Sequence, residues 1–486
     1  MAVNMKCSDL PRAEARALGL GVPERLRSTL NPPATRAFLL VALTSISLLQ
    51  AVAGFTAPTV TQVAAGSDHT LFVESDGSLW VVGDNTFGEL GLGFTPVTIS
   101  VPRLLVASNV TAVAAGVDYS LFKVGGSLWG MGRNDFGQLG DGTYMNHYFP
   151  EQTVSSQVTA IAAGNGYSLF GEFHPRLGPG SLWGTGLNLD GVLGSSTYVQ
   201  TNTPQQILSV LLSPAVSAVA AGGNNYSLFI KPDGSLWGMG NNVFGQLGDG
   251  TSGEIVSSGV TAIAAGFRHS LFLKSDGSLW GMGYNGFGQL GDNSTNDKHS
   301  PEQVGINVMA IAAGANHTLF LKSDGSLWGM GYNAYGQLGD GTTTNRLVPV
   351  LIVPSNIVAV AAGGNHSLFV KSDGTLWAMG LNTSGQLGDG TYTNRYTPVQ
   401  VVPPAPPQPG ITAIGLAGTN LNLAGTNGQS GRTCYTLTAA SLTIPVVQWT
   451  PVGTNTFSAD GDFSFTVTNA ANPNASCQFY RLELQN

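Results

Sequence analysis

One segment recurs seven times along this chain, and no other feature limits the possible folds so sharply. From Val260 it reads VTAIAAGFRHSLFLKSDGSLWGMGYNGFGQLGD, and from Val308 VMAIAAGANHTLFLKSDGSLWGMGYNAYGQLGDGT. Its Ala-Ala-Gly glycine falls at Gly66, Gly116, Gly164, Gly222, Gly266, Gly314 and Gly363, and its tryptophan at Trp80, Trp129, Trp183, Trp237, Trp280, Trp328 and Trp377. A unit of about fifty residues repeated in phase cannot bury its apolar faces alone and must stack on its neighbours.

Within a copy the pattern is that of strands. Val-Thr-Ala-Ile-Ala-Ala, His-Ser-Leu-Phe-Leu-Lys and Ser-Leu-Trp-Gly-Met are short, rich in β-branched or aromatic residues, and divided by turn signals. A fourth strand is expected in the proline-containing stretches between copies, such as 397–402. The turn between the second and third strands is expected at Asp-Gly in five copies, at Gly125-Gly126 in the second and at Pro179-Gly180 in the third. Four strands per unit make a propeller blade. The Ala-Ala-Gly segment is expected innermost, where blades converge and only small side chains fit, with Trp and Phe filling the wider space outside. Only Phe55 to Thr59 precede the first copy, whereas 397–402 are left after the seventh, so this last strand is expected to join the first blade and latch the ring.

The glycine, His-Ser/Thr-Leu, Asp-Gly-Ser-Leu-Trp, Gly-x-Asn and Gly-Gln-Leu-Gly elements resemble the repeats of the regulator of chromosome condensation family, over residues 55–402. The resemblance implies a seven-bladed β-propeller. It also implies binding of another protein through a propeller face, since the family includes nuclear guanine-nucleotide exchange factors, scaffold proteins and secreted bacterial propellers that inhibit β-lactamases. The third copy departs from the pattern, with about five extra residues between Phe170 and Trp183 and Val192-Leu193-Gly194 in place of Gln-Leu-Gly. A protruding hairpin is the kind of device with which the nuclear exchange factors engage their GTPase; a tolerated surface insertion is the plainer alternative.

Outside the repeats, Arg36 is followed by the apolar run Ala37 to Leu49 and by Ala51-Val52-Ala53-Gly54, the basic, apolar, small-residue order of a secretory signal. Residues 1–53 are accordingly expected to be removed, and the mature chain to be secreted or held at the cell surface without a membrane span. The whole chain has 20 basic and 28 acidic residues; residues 1–54 hold six and three of them, leaving 14 and 25, a charge of −11. That sign excludes nucleic acid as the expected partner. Cys434 and Cys477 remain as a pair in the last eighty residues, suited to a disulfide in an oxidising compartment or to two buried thiols. A bridge closing about 44 residues is worth roughly 4 kcal/mol by chain entropy. Residues 403–410 form a proline-rich linker, and 411–486, with about six alternating segments, are expected to fold as a small β-sandwich.

No motif survives comparison with its sister copies as an active site. Gly281-Met282-Gly283-Tyr284-Asn285-Gly286 matches a dinucleotide fingerprint but follows a strand with no helix after it. His69, His269, His317 and His366 share their position with Tyr119, Tyr167 and Tyr226, which favours a hydrogen-bonding aromatic between blades over a metal ligand. Asp141, Asp249, Asp292, Asp340 and Asp389 recur beside Gly and Thr, which favours turn capping over calcium binding. Catalytic residues, cofactors and metals are therefore expected to be absent.

Variation between copies carries more information. The two residues after the Ala-Ala-Gly glycine include Phe267-Arg268, and the residue before the Gly-x-Asn asparagine is Arg133, Tyr284 or Tyr332 in three copies. If those loops share a face, Arg133, Phe267, Arg268, Tyr284 and Tyr332 form a patch with the aromatic and arginine composition of binding hot spots. The sequence thus reads as an all-β, exported, monomeric propeller that binds a protein and catalyses nothing. Guanine-nucleotide exchange on a small GTPase, and a carbohydrate-active or carbohydrate-binding surface protein, are the alternatives.

Overall fold

A computed structural model describes residues 58–402, apart from 96, 156, 175–177, 195–198, 208–215 and 249–252, together with strands between 410 and 484. Residues 58–404 form one compact unit. It consists of seven four-stranded antiparallel sheets, each ordered from inside to outside as the chain runs. The innermost strands are Val60–Ala65, Val110–Ala115, Val158–Ala163, Ala218–Ala221, Val260–Ala265, Val308–Ala313 and Ile357–Ala362, which open blades 1 to 7. They touch in succession, and the seventh touches the first, so the sheets close into a ring. The outermost strands are Thr98–Val106, His147–Val154, Thr201–Gln206, Gly253–Val256, Lys298–Gly305, Arg346–Val353 and Arg395–Val402. Six of them carry a proline, which an edge strand tolerates because one side of its ladder stays unpaired.

Two expectations are corrected. Arg395–Val402 pairs with Leu376–Gly380 of its own blade and does not enter blade 1. Each copy begins with its inner strand and ends with its own outer one, so no strand is left over to be shared. The seam between blades 7 and 1 is closed as the others are: Val60 N donates to Gly374 O at 3.2 Å, as Val110 N does to Gly77 O at 3.0 Å. In blade 3, Pro179 and Gly180 lie inside the strand Gly178–Gly186, with His174 opposite Gly178. The inserted residues continue the hydrogen-bonded ladder, so they lengthen the hairpin beyond Pro179-Gly180.

The apolar core lies between blades. Leu71, Leu79 and Val81 of blade 1 pack with Val110, Phe122 and Met131 of blade 2, and Val60 and Phe72 of blade 1 with Leu368 and Leu376 of blade 7. In every blade the buried Phe of the second strand stacks on the Trp opposite it, as in Phe72–Trp80 at 6.3 Å and 5°. The Trp rings are half-buried, and in blades 4 to 7 a lysine ammonium lies over each, from 3.7 Å at Lys231–Trp237 to 4.4 Å at Lys274–Trp280.

Nearer the axis, the His or Tyr that opens each second strand reaches the next blade. His69 Nε2 meets Ser120 Oγ at 2.9 Å, His269 meets Thr318 at 3.1 Å, His317 meets Ser367 at 2.9 Å and His366 meets Thr70 at 3.0 Å. Tyr119, Tyr167 and Tyr226 donate to the carbonyls of Tyr167, Tyr226 and His269. Ser120 gives its one proton to Glu89 O at 2.7 Å, so its oxygen accepts from His69, whose ring is therefore the neutral Nε2–H tautomer. The other three histidines bond hydroxyls that likewise donate to a carbonyl, and among the described residues no Nδ1 of the four has a partner. These residues are interblade fasteners.

The second unit is described by its strands alone. Gly410–Ala417, Asn420–Thr426 and Phe463–Val467 form one three-stranded sheet, and Thr450–Thr456, Thr433–Ala439 and Phe479–Leu484 another. Cys434 lies on Thr433–Ala439; Cys477 and the leader 1–53 lie outside the described residues. Among the described residues no helix is long and apolar enough to cross a membrane.

Candidate protein-binding face

In a four-stranded meander the loops from first to second and from third to fourth strand emerge at one end. Here they are tied to each other in every blade: Asp84 N donates to Asp68 O, Arg133 N to Asp118 O, Tyr284 N to Arg268 O and Tyr332 N to Asn316 O, each at 2.9 Å. Blades 3, 4 and 7 repeat the bond through Leu187, Asn241 and Leu381. The loops that vary between copies therefore share one face.

The repeat's constant polar residues stiffen that face. Asn134 Oδ1 accepts from Leu139 N at 2.9 Å while its Nδ2 donates to Asp141 Oδ1 at 3.0 Å, and Asp141 also accepts from Thr143 N at 3.0 Å. Asp292, Asp340 and Asp389 cap their turns in the same way and each pairs with the base that starts the outer strand, Lys298, Arg346 or Arg395. Burial pulls Asp292 upward, but bonds from Lys298, Ser294 and Asn285 outweigh it and hold the carboxyl down to about 2. The carboxylates are thus consumed within their loops; Asp249 lies outside the described residues.

Of the five residues singled out by variation, four come together. Phe244, Tyr284, Phe287, Tyr332 and Tyr335 form a continuous arc over blades 4 to 6, with successive ring separations of 5.3, 6.0, 4.8 and 6.2 Å. The Arg268 guanidinium lies 4.9 Å from the Phe244 ring and 5.1 Å from Phe267, extending the arc toward the axis side. Arg133 stands apart in blade 2, over Phe87 and Phe136 at 5.2 and 5.5 Å, and is neutralised by Asp118 at 3.1 Å and Asp135 at 2.8 Å.

Comparison of varying positions missed Phe87, Phe136, Phe244, Phe287 and Tyr335. They occupy the position two before the Gln of Gly-Gln-Leu-Gly, which looks constant and hence structural. The signal was in its exceptions, Asp190 in blade 3 and Ser384 in blade 7, which break the belt into two arcs.

The face is electrostatically uneven. Asp68, Asp84, Glu89, Asp118 and Asp135 gather on blades 1 and 2. Glu89 stands where five copies have Gln and accepts from Phe87 N at 2.8 Å. Burial pushes its carboxyl up to about 7, with Asp84 and Asp118 adding to the shift, and burial likewise raises Asp68 and Asp118.

Two family models, both described as the regulator of chromosome condensation (RCC1) repeat, match the chain. One covers residues 76–122, 125–170, 276–321, 324–370 and 373–414, and the other 60–89, 216–246, 260–289, 309–337 and 357–386. Human WBSCR16 is similar in structure, with 22% identity, a TM-score of 0.59 and coverage of 69% of this chain and 96% of that one. Yeast RCC1 (Prp20), solved bound to Kap60, shares 20% identity at a TM-score of 0.60, over 76% and 90% of the two chains. Prp20p from Saccharomyces cerevisiae, described with its binding properties to Gsp1p and histones, shares 22% at 0.60, over 74% and 91%. No curated protein matches the chain in sequence. At these identities the likeness to the solved structures is one of fold.

Proposed function

Since the chain belongs to the regulator of chromosome condensation repeat family, we propose that it is an exported, monomeric, non-catalytic propeller that binds another protein on the face bearing Phe267, Arg268, Tyr284 and Tyr332. The observation carrying this reading is the arc from Phe244 to Tyr335: five half-buried rings in contact, mounted on loops locked by side-chain bonds. Rigid aromatic surface lowers the entropy lost on docking and concentrates binding energy. Residues 54–486, offered as bait to secreted and surface proteins, are expected to retain a partner. The variant F267A/R268A/Y284A/Y332A should bind it about a hundredfold more weakly or worse, as for the loss of several hot-spot side chains. Undiminished binding by that variant sinks the assignment of the face.

Guanine-nucleotide exchange on a small GTPase stands beside it as a second reading. Its support is the fold likeness to Prp20p and the long hairpin of blade 3, whose strands run eight and nine residues where blade 5 has six and five. Turns between second and third strands emerge opposite the aromatic arc, so the readings use different faces. Nucleotide release from candidate GTPases that is lost on replacing 173–179 by an Asp-Gly turn, yet kept by the arc variant, would favour exchange.

The reading includes removal of residues 1–53, a Cys434–Cys477 bridge and a sandwich arrangement of the six C-terminal strands. Alkylation of the denatured mature protein should label no thiol until reductant is added; two free thiols without reductant would remove the bridge and the inference of an oxidising compartment.

A further inference from the structure

The two arginines on the candidate face have the same aromatic setting and opposite electrostatic ones. Arg133 lies over Phe87 and Phe136 at the seam of blades 1 and 2, and Arg268 over Phe244 and Phe267 at the seam of blades 4 and 5. Arg133 is closed internally by two carboxylates. Among the described residues no carboxylate lies within ion-pair distance of Arg268, and its buried Nε has no hydrogen-bond partner. Asp118 and Asp135 come from Arg133's own blade 2, whereas the equivalent positions of blade 5 are Arg268 itself and Gly286. The acid on blade 3, Asp190, is engaged by the amides of Asn225 at 3.4 Å and Asn241 at 3.1 Å.

A guanidinium with an unsatisfied, desolvated N–H is a costly arrangement in a free protein. A planar carboxylate suits the terminal N–H groups, which donate to its two oxygens at once, and flanking rings that exclude water strengthen the contact. We infer that the seam of blades 4 and 5 is a receptor for one Asp or Glu side chain of a protein partner, whose adjacent apolar residue lies along Tyr284, Phe287 and Tyr332. The inference rests on the protein-binding reading of this face and adds the chemistry of its occupant. The acidic group on blades 1 and 2 sets the orientation, since a partner turned so that its carboxylate met Asp84, Asp118 and Asp135 would be repelled.

The probe is a phage-displayed library of random twelve-residue peptides, selected in parallel on the mature wild type, R268Q, R268E and Y284A/Y332A, each with its thermal midpoint checked against the wild type. Wild-type selection should enrich Asp or Glu next to an aliphatic or aromatic residue. Synthetic copies of those peptides should bind R268Q at least tenfold more weakly, and selection on R268E should enrich Lys or Arg at the same place. Peptides that bind the arc, lose affinity in Y284A/Y332A and show neither acid enrichment nor sensitivity to R268Q overturn the carboxylate receptor while leaving the protein-binding reading intact. Acid-bearing peptides indifferent to both R268Q and Y284A/Y332A, or no enrichment on any of the proteins, overturn both.

Discussion

Acidification from pH 7.5 to 5 is expected to weaken the ring sharply, and to do so at four of its seven seams. His69 and His269 are held down to about 4 and His317 and His366 to about 3, in each case chiefly because burial penalises the imidazolium. Neighbouring imidazoles add to the shift at His317 and His366. A histidine whose folded value is depressed stabilises the fold fully above its ordinary value near 6.5 and loses that contribution as pH falls toward 3 or 4. At pH 5 each therefore contributes roughly 2 kcal/mol less than at neutral pH, about 8 kcal/mol for the four. Glu89 acts with the opposite sign, because its raised carboxyl takes up a proton more readily folded than unfolded, and it returns roughly 2 kcal/mol over the same interval. The seams that fail are those fastened by histidine, between blades 1 and 2, 5 and 6, 6 and 7, and 7 and 1; tyrosine fastens the other three. Urea midpoints at the two pH values measure the loss. The double variant H317Y/H366Y, which copies the tyrosine fasteners, should remove about half of the histidine part. An unchanged pH dependence in that variant would show that the histidines do not set it.

A second large effect is expected from one methyl group beside the axis. A Cβ on Gly314 would run into Cε1 of His317 and stand 2.7 Å from the carbonyl oxygen of Gly363 in the next blade. The ring cannot step aside without breaking its bond to Ser367, and the carbonyl belongs to backbone. Gly314→Ala should therefore cost about 3 kcal/mol, the upper end for overpacking a well-filled core. Gly125→Asn is the control: no described residue lies within 4 Å of its Cβ, and its φ of 59° is one that asparagine tolerates. Equal unfolding midpoints for the two variants would refute the packing argument.

Much of this was legible in one dimension. Seven in-phase copies, strand-length apolar runs, small residues in one segment and prolines in another dictate seven blades, an alanine-rich inner strand and an edge-like outer one, because each of these signals is local to a blade. The hydrogen-bonding role of the His/Tyr position could also be read, since two rings that differ in metal affinity share the ability to bond a neighbour. The turn of blade 3 was misplaced because an inserted stretch carries no mark of whether it loops out or extends a ladder. The missing latch and the aromatic belt have a different origin. Both depend on contacts between blades, and Thr70 meets His366 across 296 residues of sequence.

The sequence by itself thus determined the repeat, its strands and the class of fold, through periodicities that operate over a few residues. Only the tertiary structure decided which arginine is neutralised and which is open, which rings join into an arc, and how the first and last blades meet. Those outcomes turn on side chains brought together from different copies by closure of the ring, and identical local motifs give them different neighbours.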